Sequence, residues 1–172
     1  MFLQMAGFPG SGKSTLARQI ARKNGAVIVD HDIVKSSLLD SFKGEPIDGK
    51  QAGSIAYAID WSLIDFHLSQ GHDVIFDSPC LYDEIIEKGI CLTKKHQTVY
   101  KFIECQLQDF TEVNRRLRNR ERMVSQIAEA ESEEAYYRAI RESKRPVESY
   151  LIVDTSNPVD SYFDQVMAYL LD

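Results

Sequence analysis

Cysteine is scarce in this chain: three residues in 172 (Cys80, Cys91, Cys105), with no C-x-x-C pair among them. So sparse and odd a set excludes a disulfide framework and fits reduced thiols that fill core space in a cytoplasmic protein. Long apolar runs are also missing, and none approaches the roughly 20 residues that a membrane-spanning helix needs. With the first apolar strand beginning at residue 1 or 2, no targeting segment is expected ahead of the fold. Positive charge is in short supply too, with 20 Lys and Arg against 26 Asp and Glu and a net charge of −6. Residues 1–50 carry +2, 51–110 carry −5, 111–122 carry +3 and 123–172 carry −6. The one basic island is Arg115, Arg116, Arg118, Arg120 and Arg122. A protein that tracks a long duplex needs an extended basic face, so this distribution argues against long nucleic acid and for a compact anion such as a nucleoside triphosphate. Repeats, low-complexity tracts and linkers are absent, and the length suits a single domain spanning 1–172.

What the chain does contain is Gly7-Phe8-Pro9-Gly10-Ser11-Gly12-Lys13-Ser14-Thr15, directly after the apolar run 2–6 and directly before a helical run at 16–24. Strand, glycine-rich turn, then helix is the setting that makes G-x-x-x-x-G-K-[ST] a phosphate-binding loop. Glycines let the backbone bend tightly and bring its N–H groups against phosphate oxygens, at the positive end of the following helix. Gly7, Pro9, Gly10, Ser11, Gly12, Lys13, Ser14 and Thr15 are therefore the candidate nucleotide-binding residues. Lys13 places an ammonium on the outer phosphates, and the Ser14 hydroxyl is a candidate Mg²⁺ ligand.

Four further short apolar runs, at 26–29, 73–77, 99–105 and 150–153, read as strands. Helical patterns at 33–39, 51–69, 83–96, 111–123, 124–143 and 159–171 separate or follow them. This alternation predicts a three-layer α/β/α fold around a five-stranded parallel sheet. In helix 51–69, Ala52, Ile55, Ala56, Ile59, Leu63 and Phe66 are expected on one packed face, and Tyr57, Trp61, Ile64 and Leu68 add apolar character on other faces, so the helix is either largely buried or partly used in another contact. The polar segment 41–49 reads either as a loop that closes over substrate or as an ordinary connection.

Ligands of open α/β sheets bind outside the carboxyl ends of the strands. That rim gathers the phosphate loop with Asp30, Asp32, Asp77 and the segment 154–158. Asp32 is the first candidate for accepting a proton from a hydroxyl acceptor. Asp30 is either its competitor or a helix N-cap, and His31 between them reads as a packing or hydrogen-bonding residue. Asp77 closes an apolar strand, the position of a second Mg²⁺ ligand, and could alternatively cap the next segment or contact the acceptor. Arg116 and Arg120, four apart on a helix packed through Phe110, Val113, Leu117 and Val124, share a face and are candidates for closing on the triphosphate.

GFPGSGKSTLARQIA, VIVDHDIVK, VIFDSP and EVNRRLRNR together resemble the P-loop kinases related to the kinase domain of polynucleotide kinases, the AAA_33 group, which includes gluconate-kinase-like, chloramphenicol-phosphotransferase-like and zeta-toxin-like proteins. The resemblance implies an ATP- and Mg²⁺-dependent kinase with strand order 2-3-1-4-5 and an arginine-bearing helical lid near 108–145. Asp32 would be the general base, Arg116 and Arg120 lid arginines, and Asn157 in the 154–158 loop would border the adenine. Lys35 would stand where polynucleotide kinases place an arginine on the substrate phosphate, a change that loses bidentate recognition. The alternative is a P-loop ATPase or nucleotide-sensing module without an acceptor. An N-K-x-D motif, expected of a GTPase, does not occur, and the length leaves no room for the extra helical domain of a ring-forming AAA+ module.

Overall fold

The computed structural model describes residues 1–42 and 47–172. Five parallel strands, β1 (Phe2–Ala6), β2 (Val27–Asp30), β3 (Val74–Asp77), β4 (Tyr100–Gln106) and β5 (Leu151–Asp154), form one sheet in the order β2-β3-β1-β4-β5. The helices are α1 (Lys13–Asn24), α2 (His31–Ser41), α3 (Gly49–Ser69), α4 (Asp83–Lys95), α5 (Phe110–Asn119), α6 (Glu133–Arg141) and α7 (Phe163–Leu171). No described helix is long and apolar enough to cross a membrane.

Side-chain alternation along β1 divides the core. Phe2 and Ala6 join Trp61, Ile64, Leu68, Phe76 and Ile85 beneath α3 and α4. Leu3 and Met5 join Leu16, Ile20, Ile103, Val153 and Val166 beneath α1 and α7. Burial on both faces explains why these strands read as continuous apolar runs. A third, smaller cluster of Leu107, Val113, Leu117, Ala130 and Tyr136 holds the segment between β4 and β5 together and takes Phe8 of the glycine-rich loop against it.

Local chemistry sets the helix ends. Gly25, in the left-handed region at φ 76°, ends α1 and donates its N–H to the Ala21 carbonyl. Asp30, Asp109 and Ser132 cap α2, α5 and α6 through their side-chain oxygens.

Several expectations are corrected. In α3, Ala52 and Ala56 are buried as predicted, but Ile55, Ile59 and Leu63 are exposed and Phe66 is 58% exposed. The packed face instead runs through Asp60, Trp61, Ile64 and Leu68. Asp60 is part of this face because its carboxylate has a partner there, the buried His31 ring at 2.6 Å. The helix expected over 111–123 ends at Asn119, and that expected over 124–143 contracts to Glu133–Arg141. Between them, Ser125 and Gln126 bond to α2, and the Ala130 N–H donates to the buried Asn114 side chain at 2.8 Å, so tertiary bonds replace helical ones. Val124 is consequently exposed rather than packed. The closing helix begins with a 3-10 turn at Val159–Ser161, and α7 follows it. Cys80 and Cys105 are buried, as core fillers should be, whereas Cys91 is exposed. Of the expected loop at 41–49, residues 43–46 lie outside the described residues, while Ser41 is the last residue of α2 and Gly49 the first of α3.

Candidate active site

The glycine-rich turn is held in shape from three sides. Gly7 takes φ 131°, and a Cβ there would lie 2.3 Å from the Cys105 carbonyl oxygen, so only glycine fits between β1 and β4. Gly12, at φ 94°, starts α1. Thr155, just past β5, donates its hydroxyl to the Ser11 carbonyl at 2.7 Å, and its N–H bonds the Gln106 carbonyl at 2.8 Å. Thr155 thus ties the loop to two strand ends, a role that sequence reading missed; its one signal is a β-branched hydroxyl residue immediately after a strand. The Lys13 amine donates to the carbonyls of Gly7 at 2.9 Å and Phe8 at 3.3 Å.

A cavity of about 630 Å³ opens above this turn. Pro9, Gly10, Gly12, Lys13, Ser14 and Thr15 form its floor, and Asp30, Asp32, Asp77, Arg116, Arg120 and Asn157 complete its wall. Gly7 and Ser11 shape the turn from behind and line a separate cavity on its far side. Lys35 lies apart from this first cavity and lines another, of about 850 Å³, with Lys50, Tyr57, Trp61, Lys88 and Asp32. The two cavities share Pro9, Asp32, Pro79, Arg120 and Gln126. In the second, Tyr57 is stacked on His31 with ring centroids 4.0 Å apart, and Lys88 sits 5.6 Å over the Trp61 ring. The buried His31–Asp60 pair therefore sets the position of an aromatic wall.

The three aspartates are not equivalent. Asp30 Oδ1 accepts from the N–H groups of Asp32 at 2.9 Å and Ile33 at 3.4 Å, so Asp30 is the cap of α2. It pairs across the sheet with Asp77. Burial, followed by the charges of Asp77 and Asp32, pushes its carboxyl up to about 6. Asp77 is 4% exposed, and its Oδ2 has no hydrogen-bond partner among the described residues. A buried orphaned acceptor of this kind fits a cation or a water bound to one. Among the described residues, no group of three or more His, Cys, Asp or Glu side chains could hold a metal alone. Such a donor set suits Mg²⁺ carried largely by phosphates and water, which needs only one or two protein ligands.

Asp30 gives a pH prediction. The folded chain keeps the Asp30 proton over a range where the unfolded chain has lost it, so the contribution of Asp30 to stability declines as pH rises from about 4 to about 6 and stays lower above. Asp30→Asn keeps the cap and removes the charge. Thermal melts are expected to find the variant more stable than the parent near pH 8, by on the order of 1–3 kcal/mol, and equal to it near pH 4.

The arginine island does not act as one face. Arg116 donates Nε to Glu112 at 2.8 Å and Nη2 to the Thr155 carbonyl at 2.9 Å, which holds it over the phosphate loop. Arg115 and Arg116 together hold the Glu112 carboxyl down at about 2. Arg118 pairs outward with Glu129. Arg120, expected one helical turn beyond Arg116, instead lies past the end of α5 in extended backbone. Its Nη2 donates to the Ile127 carbonyl at 3.0 Å, while its Nε is buried without a partner among the described residues. Arg116 and Arg120 still reach the same cavity, from separate directions.

Residues 3–145 match the model of the AAA_33 family, an AAA domain. The chain belongs to the AAA_33 family. No curated protein matches its sequence. Among solved structures, this AAA_33 protein shares its fold with a Chloroflexus aurantiacus protein provisionally designated a kinase (TM-score 0.75, 17% identity, 98% of this chain and 97% of the other). A gluconokinase from Sinorhizobium meliloti 1021 also matches (TM-score 0.61, 17% identity, 98% and 90%). So does Chaetomium thermophilum Kti12 in complex with ADP-AlF3 (TM-score 0.66, 15% identity, 98% and 98%). At these identities the likeness establishes the P-loop kinase fold and leaves the substrate of this AAA_33 protein to the chemistry of its own cavities.

Proposed function

We propose that this AAA_33 protein is an ATP-dependent kinase that transfers the γ-phosphoryl group of ATP to a hydroxyl of a small molecule or a nucleic-acid 5′ end. The observation that carries the reading is the pair of cavities meeting at Asp32 and Arg120. A module that only senses or hydrolyses nucleotide needs the first cavity; a kinase needs both, with a proton acceptor and a cation at their junction. In this reading ATP lies along Gly7–Thr15 with Asn157 bordering the base, and Lys13 and Arg116 hold its phosphates. Ser14 and Asp77 would hold Mg²⁺, which would supply charge neutralisation for the phosphates. The acceptor hydroxyl forms a bond to the γ-phosphorus, the bond from that phosphorus to the bridging oxygen breaks, ADP leaves, and Asp32 takes the hydroxyl proton. The 108–145 region, with Arg120 in it, acts as the lid.

Lys35, Lys50 and Lys88 line the second cavity and form no ion pair among the described residues. With Arg120 they outnumber Asp32 and Glu84 in that lining, and this excess of positive charge in so acidic a chain favours an acceptor that carries negative charge of its own. Incubation with γ-labelled ATP and matched neutral and anionic hydroxyl compounds (sugars, sugar acids, nucleosides, nucleotides, short oligonucleotides) tests both parts. Label in an acceptor supports the kinase; label released only as phosphate overturns it in favour of an ATPase. Asp32→Asn is expected to lower kcat by about 10²–10⁴ while leaving the KM for ATP nearly unchanged. Equal losses in both would make Asp32 a binding residue.

A further inference from the structure

Residues 123–127 follow no regular helix and lie against the first turns of α2. Ser125 Oγ donates to the Asp32 carbonyl at 3.2 Å, and the Ser125 N–H donates to Ser36 Oγ at 3.2 Å. Gln126 goes further, because its Nε2 donates to Asp32 Oδ2 at 2.8 Å. Its Oε1 accepts from the Met123 N–H at 3.2 Å. A backbone N–H can only donate and a carboxylate only accept, so one amide orientation satisfies both ends. Gln126, like Asp32, lines both cavities.

We propose that Gln126 is a positioning residue for Asp32, holding Oδ2 so that Oδ1 is the oxygen presented to the acceptor hydroxyl. The proposal rests on the reading of Asp32 as the base. Ser125 already anchors the Asp32 backbone, so the Gln126 bond acts on the carboxylate alone. The amide carries no proton that it gives up near neutral pH, and it orients the base without competing with it as an acid. Because Gln126 belongs to the segment after α5, the base is aligned only while that segment is docked. Docking brings Arg120 and the aligned carboxylate to the junction of the cavities together.

The test compares wild type, Gln126→Ala and Gln126→Glu as full chains, measuring ADP release from mildly acidic to mildly alkaline pH. The assay uses the best phosphorylated acceptor of the panel, or water if none is phosphorylated. Gln126→Ala is expected to lower kcat on the order of 10²-fold, the cost of a misplaced reacting group, with the acceptor KM changed only a few-fold. Gln126→Glu keeps the shape, but two facing carboxylates must share a proton to hold the contact. Its activity is expected near wild type at the acidic end and to fall toward that of Gln126→Ala as pH rises. Asp30, Arg120 and Tyr57, each coupled electrostatically to Asp32, and Lys35 in the same cavity, are common to all three proteins. A pH profile of Gln126→Glu parallel to wild type, or both variants within a few-fold of wild type throughout, overturns the proposal. If Gln126→Ala melts early, the isosteric Gln126→Glu decides alone. Label in phosphate rather than acceptor, in the wild type, overturns the kinase reading separately.

Discussion

Lys13→Ala is expected to fold normally and to lose phosphoryl transfer. The lysine is 8% exposed, and its amine already rests between the Gly7 and Phe8 carbonyls, at the lip of the turn that would cradle phosphate. Those carbonyls are partners that an ammonium leaves easily for a polyphosphate, since the charge–charge attraction exceeds a charge–dipole bond. At a separation of 4 Å and an effective dielectric constant of 20, one such attraction is worth about 4 kcal/mol, or about 10³-fold in rate if it acts at the transition state. The turn itself does not depend on Lys13, because Gly7, Gly12 and Thr155 shape it. A melt close to wild type with no transfer of label is therefore the expected pair of results. Lys13→Arg should restore little, because a planar fork does not fit a niche made for a compact point charge. Transfer retained in Lys13→Ala would remove the donor site from this loop.

The glycine-rich turn was legible because its determinants are local. Gly7 to Thr15 sits in consecutive residues, and the glycines are there because their backbone angles and close contacts admit nothing larger. The five strands were legible for a related reason: burial on both faces removes polar residues from short runs such as 74–77, and parallel pairing then follows from the intervening helices. The strand order 2-3-1-4-5 came from resemblance, and the sheet has that order.

What was misread depends on contacts distant in sequence. Asp60 faces inward, where it pairs with His31, 29 residues away; by composition, the stripe of Ile55, Ile59, Leu63 and Phe66 is the better packed face. Residues 120–132 contain good helix formers, yet Ser125 and Gln126 bond to Ser36 and Asp32, some 90 residues earlier, and the helix gives way. Thr155 and Gln126 were missed for the same reason, since a side-chain hydroxyl or amide carries no periodic signature. The placement of Arg120 inherited this error: helical spacing put it above Arg116, while the chain delivers it from an extended segment.

That difference sets the second large effect. Arg120→Ala is expected to lower kcat on the order of 10³-fold or more with the KM for ATP changed only a few-fold. Arg116→Ala is expected to act mainly on ATP affinity. Arg116 spends Nε on Glu112 and an Nη on Thr155, contacts that fix it over the loop before any ligand arrives. Arg120 has committed one donor to Ile127 and keeps its Nε buried and unpaired. Burial lowers the proton affinity of this guanidinium, and the nearby Asp32 charge opposes that effect. A half-buried cation with one buried, unpaired donor is costly to maintain in the free protein. The cost is offset when negative charge develops beside it, and on the proposed reading phosphoryl transfer would place that charge at the junction Arg120 shares with Asp32. Arg120→Lys should fall between wild type and alanine, keeping the charge and losing the fork. An Arg120→Ala enzyme within a few-fold of wild type would return this residue to a tether for Ile127.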